Sequence, residues 1–205
     1  SAASDVYKRQ TMDFATRKPN EFRDKFVNGY GLGGITRGLD IDKPLIAAIN
    51  GYAVSGGLEI ALACDLRFCS ENAKFGLQDV KWGFHACDGA LVRLPHIVGM
   101  GATMELVLSG ELINAEHAHK INLVNKIYPN NSLLEKTLEY AHLISKRAPL
   151  AIKFAKQTLR NTVSMPLADA LRHEVRSFYD LGQSEDLAEG TRAFRERRDA
   201  EFKGR

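Results

Sequence analysis

The chain has 205 residues, of which 44% are hydrophobic and 26% charged, a composition typical of one globular domain with a substantial core. Lys and Arg outnumber Asp and Glu by only 28 to 25, so the net charge argues against nucleic acid as a partner. Apolar runs shorter than roughly 18 residues argue against a membrane protein. The three cysteines form no CxxC pair and no metal-ligand spacing, which predicts no metal site and a reduced protein of the cytoplasm, or of the mitochondrial matrix in a eukaryote.

The chain begins with a segment, Asp5–Gln10, that resembles the translation of a sequencing-library adapter. We therefore expect residues 1–10 to be a non-native scar and exclude them from the interpretation of the fold. The other interpretation of this segment is a genuine polar start of a helix. Further along, apolar residues recur at helical spacing over residues 20–39, which predicts a helix with a glycine-weakened end.

Strands alternate with a helix in the next part of the chain. The patterns of residues 45–50, 66–70 and 73–76 are those of buried strands, and residues 57–64 between them have the pattern of an apolar helix. Strands that are connected by helical crossovers lie parallel in a sheet. The sequence therefore predicts an α/β core with parallel strands.

Helical patterns dominate the chain after Asp88, with one further strand predicted at residues 124–128. The predicted helices cover residues 100–109, 114–121, 132–146, 148–163, 166–181 and 184–202. We therefore predict a catalytic α/β core over residues 11–130. A helical C-terminal part follows over residues 131–205, without a flexible linker.

The most informative feature of the chain is a turn on small residues, Ser55-Gly56-Gly57, between a strand and an apolar helix that contains Glu59. The N-terminus of a helix offers backbone N–H groups and a favourable dipole for negative charge. Gly56 and Gly57 have no side chains, so a ligand oxygen can approach this backbone closely. If an oxyanion forms here, the N–H group of Gly56 is its natural donor.

Glu59 is an unusual residue for an apolar helix. Burial disfavours an ionised carboxylate and raises its pKa toward the range that suits acid–base chemistry near neutral pH. The alternative is structural: the two glycines permit close packing of helix and strand, and Glu59 pairs with an Arg or Lys. The glutamate and the flanking strand together favour the functional interpretation.

The same region resembles the crotonase superfamily of enoyl-CoA hydratases and isomerases. The resemblance runs from about Thr11 to the C-terminus, and its motifs occur in the family's order. They are Lys43–Ala53, Ser55–Glu59, Cys64-Asp65, Phe75-Gly76, Arg93-Leu94-Pro95, Ile97–Gly99, Glu105–Gly110, Ala115–Ala118 and Leu123–Lys126. The resemblance implies the spiral crotonase fold, with a helical C-terminal part.

The resemblance also implies an acyl-CoA lyase that adds water to a 2-enoyl-CoA with two carboxylates. The first carboxylate corresponds to Glu59, and the second to Asp79, which follows Phe75-Gly76 by three residues and is one methylene shorter than the family's usual glutamate. Gly56, with Gly57 and Ala53 beside it, would bind the thioester. No metal or redox cofactor is implied, because coenzyme A is part of the substrate.

Two of these assignments have open alternatives. Asp79 could be an exposed loop residue or a helix cap. Asp88 is a candidate third carboxylate, because it resembles the aspartate that some members carry just before a Gly-x-x-x-Arg-Leu-Pro segment. The loop aspartate that acts on the substrate in some other members usually lies one residue earlier, where this chain has Cys87. Asp88 could equally belong to an Asp-Gly turn. Ser55 stands where the family usually has glycine or alanine.

The resemblance makes further expectations about the two ends of the chain. The family's first oxyanion donor comes from a segment that precedes the region matched by Thr11, so we expect a truncated chain with half an oxyanion hole, which could be inactive. Near the C-terminus, Lys203 and Phe202 would contact coenzyme A. The C-terminal helices would form a homo-oligomer, either a trimer or a dimer of trimers.

Three other functions are considered. An enoyl-CoA isomerase, or a dehydratase of another acyl-CoA, would use the same fold, and a reaction run by Asp88 alone would favour isomerisation. A non-catalytic acyl-CoA-binding protein would explain the shorter Asp79 and the altered loop after it. A dinucleotide-binding dehydrogenase is disfavoured, because no Gly-x-Gly-x-x-Gly follows the strand.

Overall fold

The computed structural model describes residues 27–38 and 40–205. It has the predicted α/β fold, with mostly parallel strands in the first part and helices in the second. The strands are β1 (Ile46–Ile49), β2 (Tyr52–Val54), β3 (Leu66–Ser70), β4 (Lys74–Gly76), β5 (Ile113–Asn114) and β6 (Lys126–Tyr128). The helices are α1 (Gly56–Leu62), α2 (Ala90–Ser109), α3 (Ala115–Lys120), α4 (Leu133–Ser145), α5 (Pro149–Thr162), α6 (Leu167–Leu181) and α7 (Glu185–Glu196).

The described strands form two three-stranded sheets. In the first sheet β3 lies between β1 and β6, and both pairings are parallel. In the second sheet β4 lies between β2 and β5, and it is parallel to β2 but antiparallel to β5. The two-residue strand β5 is therefore an exception to the predicted parallel arrangement.

The chain passes from the first sheet to the second between β1 and β2. Gly51 lies in this connection, and its carbonyl oxygen accepts a hydrogen bond from the backbone N–H group of Lys74 (3.2 Å). Strand β2 then pairs with β4 in register Ala53 to Phe75. This pairing carries the chain to the start of α1 and places the turn Ser55–Gly57 at the end of a paired strand.

The hydrophobic core of this part fixes one face of α1. Leu58 and Leu62 are buried in one cluster with Phe75 of β4, Leu94 of α2 and Leu123. A fully buried Leu or Phe side chain contributes about 1.5–3 kcal/mol to folding. The packing of Leu58 and Leu62 in this core therefore holds α1, the helix that contains Glu59, in place.

The predicted helix over residues 20–39 is wrong for residues 28–38, whereas residues 20–26 and 39 lie outside the described part of the chain. Residues 28–38 form turns and a short 3-10 segment, Leu32–Gly34. Gly31 and Gly33 have φ angles of 74° and 61°, which belong to the left-handed region. A right-handed helix cannot pass through these conformations.

Helix α2 is longer than the predicted segment 100–109 and bends at Gly99, where φ is 78° and ψ is 164°. By length and composition it could cross a membrane, which is weak support for a span because the core helix of a soluble protein passes the same test. The bend divides it into two pieces, each shorter than the roughly 17 residues that a span needs. Its residues Leu94 and Leu106 belong to the buried core.

The described chain divides into two compact units, with a boundary inside α4. One unit comprises Leu45–Thr137 and the described residues before Ile41, and the other comprises Ile41–Pro44 and Leu138–Arg205. In the second unit, α5 packs against α6. The short segment 41–44 joins it through Asp42, which pairs with Lys153 (2.8 Å). The functional division at residues 130/131 stays a prediction.

Candidate active site

The site is built around the turn that leads into α1. Ser55 has a φ of 49° and a ψ of −117°, a conformation that only a few residues other than glycine adopt. Its N–H group donates to the carbonyl oxygen of Gly76 (2.9 Å), and its own carbonyl accepts from the N–H group of Glu59 (3.0 Å). Gly56 is the first residue of α1, a position where the N–H group has no partner within the helix. A Cβ atom on Gly57 would meet no other atom within 4 Å, so a ligand can approach the backbone there.

Glu59 is buried, with 3% of its surface exposed. Its Oε1 atom accepts hydrogen bonds from the backbone N–H groups of Asp88 (2.6 Å) and Ala90 (3.2 Å). Burial raises the pKa of Glu59 to about 7, and the nearby charges of Asp88 and Asp79 raise it as well, against the lowering effect of the two N–H donors. At neutral pH this carboxyl group is therefore present in both protonation states.

Asp79 lies in a 3-10 turn, Gln78–Trp82, directly after strand β4. Its side chain is buried, with 4% of the residue exposed, so the alternative of an exposed loop residue is wrong. Asp79 is near enough to Glu59 for its charge to raise the pKa of that residue. The fold therefore brings together the two carboxylates that are 20 residues apart in sequence.

Asp88 is the third member of this carboxylate group and is 2% exposed. Its Oδ1 atom accepts a hydrogen bond from the hydroxyl group of Thr36 (3.1 Å) and pairs with Nε of Arg37 (2.8 Å). Its backbone N–H group donates to Glu59 (2.6 Å). Asp88 is thus more than a simple Asp-Gly turn, although the following Gly89 does have a φ of 109°.

Thr36 and Arg37 are the residues of this site that sequence reasoning missed. They follow a glycine-rich segment, Gly31–Gly34, for which the apolar periodicity predicts a helix and therefore no polar site. A Thr-Arg pair one residue after the glycine-rich segment, separated from it by Ile35, is the signal that points to them. Arg93 joins the same network, because its guanidinium group donates to the carbonyl oxygens of Asp88 (3.2 Å) and Thr36 (2.6 Å).

A pocket of about 320 Å³ lies beside this network. Its walls come from the segment of Thr36, the loop around Asp88 and the start of α2; the lining residues are Thr36, Arg37, Ala86, Cys87, Gly89, Leu91, Val92 and Arg93. Among residues 27–38 and 40–205, no three His, Cys, Asp or Glu side chains are grouped so that they could hold a metal ion.

The other predicted site residues lie in different surroundings. Ala53 is buried in the hydrophobic core, and its contact with a substrate stays a prediction. Lys203 and Phe202 lie in the second unit, where the backbone N–H group of Lys203 donates to Asp186 (2.7 Å) and the Phe202 ring faces Gly190. Their predicted contact with coenzyme A also stays a prediction.

Comparison with known proteins places this geometry in a family. The family model described as enoyl-CoA hydratase/isomerase matches residues 13–205. The chain belongs to this family. It is 38% identical over 179 residues to a carnitinyl-CoA dehydratase from Salmonella heidelberg, covering 85% of this chain and 69% of that relative. A carnitinyl-CoA dehydratase from Salmonella enteritidis is 36% identical over 197 residues, covering 94% of this chain and 76% of the relative.

Solved structures of the family have the same fold. An enoyl-CoA hydratase from Bacillus anthracis superimposes with a TM-score of 0.85 at 31% identity, covering 93% of this chain and 73% of that structure. The resemblance to the crotonase superfamily is thus confirmed, and with it the crotonase fold. This member of the enoyl-CoA hydratase/isomerase family is an enoyl-CoA hydratase-like lyase, and the family implies an acyl-CoA thioester as its substrate.

Proposed function

We propose that the chain adds water to the 2,3-double bond of a 2-enoyl-CoA. The observation that carries this proposal is the buried position of Glu59, one turn after Gly56 and near enough to Asp79 for the charge of Asp79 to raise the pKa of Glu59. A thioester carbonyl bound at the N–H group of Gly56 would bring its conjugated double bond near these acids. Buried carboxyl groups with a pKa near neutrality suit the exchange of protons with a substrate.

The role of the turn is to stabilise negative charge. When the oxygen of water attacks C3, electrons move from the double bond onto the thioester, which becomes enolate-like. A preorganised N–H donor at the oxygen stabilises this state more than the ground state, typically by about 2.7–4 kcal/mol. In the proposal Gly56 supplies this donor, and the open space above Gly57 admits the thioester.

The two carboxyl groups would complete the reaction by moving two protons. One ionised carboxylate takes a proton from water while the water oxygen bonds to C3, and the protonated partner delivers a proton to C2. Glu59, with a pKa of about 7, is present in both forms at neutral pH and is suited to either half of this exchange. Asp79 is its proposed partner. The proposed reaction needs no metal or redox cofactor, and coenzyme A enters as part of the substrate.

The reverse reaction, dehydration of a 3-hydroxyacyl-CoA, is the second candidate, because the relatives cited above are named carnitinyl-CoA dehydratases. The same groups would then act in the opposite order. An isomerase that uses Asp88 alone is disfavoured by the two donors at its Oδ1 atom. Coenzyme A contacts of Lys203 and Phe202, a homotrimer or dimer of trimers, and a cytoplasmic location remain proposals.

The test is turnover by the chain and by single amide variants. Loss of the conjugated-thioester absorbance of a short trans-2-enoyl-CoA reports hydration. We expect Glu59→Gln and Asp79→Asn each to lower kcat by about 10²–10⁴-fold, the usual contribution of an acid–base group. Glu174→Gln, at an exposed position of α6, is the matched control and should leave kcat unchanged.

Two results would contradict the proposal. If Glu59→Gln hydrated the substrate as fast as the unaltered chain, Glu59 would not be the acid–base group. Tight binding of an acyl-CoA by the unaltered chain, without hydration or dehydration of any acyl chain, would instead favour the non-catalytic acyl-CoA-binding function.

A further inference from the structure

The position of the Glu59 carboxyl group depends on one loop. Among residues 27–38 and 40–205, the hydrogen bonds to its Oε1 atom come from two backbone N–H groups, those of Asp88 and Ala90. These two donors lie 29 and 31 residues after Glu59, where the loop enters α2. A displacement of these two N–H groups would lengthen the hydrogen bonds that orient the Glu59 carboxyl group.

The loop is in turn held by a polar pair from the segment before β1. Arg37 donates through Nε to the side chain of Asp88 (2.8 Å) and through Nη2 to the carbonyl oxygen of Cys87 (2.7 Å), so one guanidinium group holds two successive loop residues. Thr36 donates its hydroxyl group to the same Asp88 oxygen (3.1 Å) and is itself buried. Arg93 ties the two segments together from α2, through its donors to Asp88 and Thr36.

The backbone at Gly31 packs closely against the side chains of Thr36 and Asp88. A Cβ atom at Gly31 would contact Oγ1 of Thr36 and would lie 2.7 Å from Oδ1 of Asp88. Gly31 also has a φ of 74°, which side-chain-bearing residues rarely adopt. Only glycine at this position lets the segment approach Asp88 closely enough for Thr36 and Arg37 to reach it.

We propose that Thr36 and Arg37 are positioning residues for Glu59, which act by anchoring Asp88 and with it the two N–H groups that hold the Glu59 carboxylate. Asp88 is then the anchor of the loop rather than a third acid or base. Its buried Oδ1 atom already accepts from the hydroxyl group of Thr36 and the guanidinium group of Arg37. The kinetic consequences rest on the hydratase function proposed above.

Charge gives Arg37 a second consequence for Glu59. Among the described residues, the charged groups that act on Glu59 are Asp88 in the loop and Asp79 in the 3-10 turn, and both are negative. Arg37 lies on Asp88 and compensates its charge, while Arg93 contacts the backbone of the same residue. Without Arg37, the uncompensated charge of Asp88 and looser N–H bonds would both raise the pKa of Glu59 further above 7.

The kinetic test compares four variants of the Thr36–Arg37 pair with a control variant at an arginine of the second unit. Arg37→Met should lower kcat about ten- to hundredfold while KM changes less than about twofold, because misplacement of a reacting group by about 1 Å can cost a hundredfold. Thr36→Val is the milder variant and should lower kcat about fivefold, the equivalent of one hydrogen bond. Thr36→Ser keeps the hydroxyl group and should have the kcat of the unaltered chain. Arg37→Lys should have a kcat between those of Arg37→Met and the unaltered chain, because an ammonium group lacks the planar geometry with which arginine donates to both acceptors. Arg172→Met on α6, which also removes an ion pair, should have no effect.

A second measurement does not depend on turnover. The titration of Glu59, followed by carbon NMR of labelled glutamate carboxyl groups and assigned with Glu59→Gln, should show a pKa near 7 in the unaltered chain. In Arg37→Met the same resonance should titrate at higher pH, and in Arg172→Met it should not move. If the chain hydrates no acyl-CoA but this shift occurs, the proposed function fails and the positioning role stands.

Other outcomes would overturn the positioning role. One is an unchanged or lowered pKa of Glu59 in Arg37→Met. Another is an unchanged kcat in both Arg37→Met and Thr36→Val. A large rise of KM at constant kcat in Arg37→Met would show that Arg37 contacts the substrate instead.

Discussion

Two glutamates of this chain show how differently similar hydrogen bonds can act on a carboxyl group. Glu59 accepts two backbone N–H bonds, and its pKa is nevertheless raised to about 7, first by burial and then by the charges of Asp88 and Asp79. Glu189 on α7 accepts one backbone N–H bond, from Glu201, together with the guanidinium group of Arg198, and its pKa is lowered to about 2.

The difference teaches what each region does. An arginine beside Glu189 favours the ionised form, so this carboxylate acts as a permanent anchor for the C-terminal segment. Near Glu59, the guanidinium group of Arg37 pairs with Asp88 and not with Glu59 itself. Within the described part of the chain, the Glu59 carboxyl group has backbone N–H donors and negatively charged neighbours. Because the arginine pairs with Asp88 and not with Glu59, Glu59 can still change its protonation state, as the proposed reaction requires.

The largest effect that would test this comparison is the pH dependence of folding caused by Glu59. Its folded pKa of about 7 lies above the ordinary value of 4.5, so its favourable contribution is complete below pH 4.5 and is lost as the pH rises to 7. We expect the free energy of unfolding to fall across this window by about 3 kcal/mol more in the unaltered chain than in Glu59→Gln. Urea unfolding of both proteins at pH 4 and pH 8, which bracket the two pKa values, measures this difference. An equal fall of the free energy of unfolding in both proteins would contradict the assignment.

A smaller effect is expected from the close approach of Gly31 to Asp88. Gly31→Ala introduces a Cβ atom against Thr36 and Asp88 as well as a strained φ, and should cost about 2–3 kcal/mol in the free energy of unfolding. Gly34→Ala is a matched control, because its φ is 71° but a Cβ atom there meets nothing within 4 Å. It should cost about 1 kcal/mol. Chemical unfolding of both variants separates the steric contact from the backbone strain, and an equal loss in both would show that the contact does not matter.

The smallest effect should come from Glu189 and have the opposite sign. Its folded pKa of about 2 lies below 4.5, so its contribution is present above pH 4.5 and is lost as the pH falls toward 2. Hydrogen exchange of the α7 amides should accelerate over this acid range in the unaltered chain but less in Glu189→Gln. Added salt should weaken the difference, because the Arg198 side chain is 39% exposed. If added salt left the difference unchanged, the pH dependence of hydrogen exchange in α7 would have a cause other than this ion pair.

Regular elements were the part of the fold that the sequence predicted well. Strand β3 coincides with the predicted residues 66–70, and α5 and α6 begin and end within one residue of their predictions, because apolar periodicity is strong there. The helix predicted over residues 20–39 failed for residues 28–38, since left-handed glycines decide the path of the chain there. The short strand β5 was missed because only its pairing with β4 defines it.

The sequence by itself determined the family, through the resemblance of its ordered motifs, and it determined the α/β fold and the turn Ser55–Gly57 with Glu59, because these are local residue patterns. Only the tertiary structure decided the state of that acid. The hydrogen bonds from Asp88 to Glu59 and from Thr36 to Asp88 join residues that are 29 and 52 positions apart. Contacts over such distances depend on how the loops pack, and they determine the burial and the neighbouring charges that set the pKa of a carboxyl group.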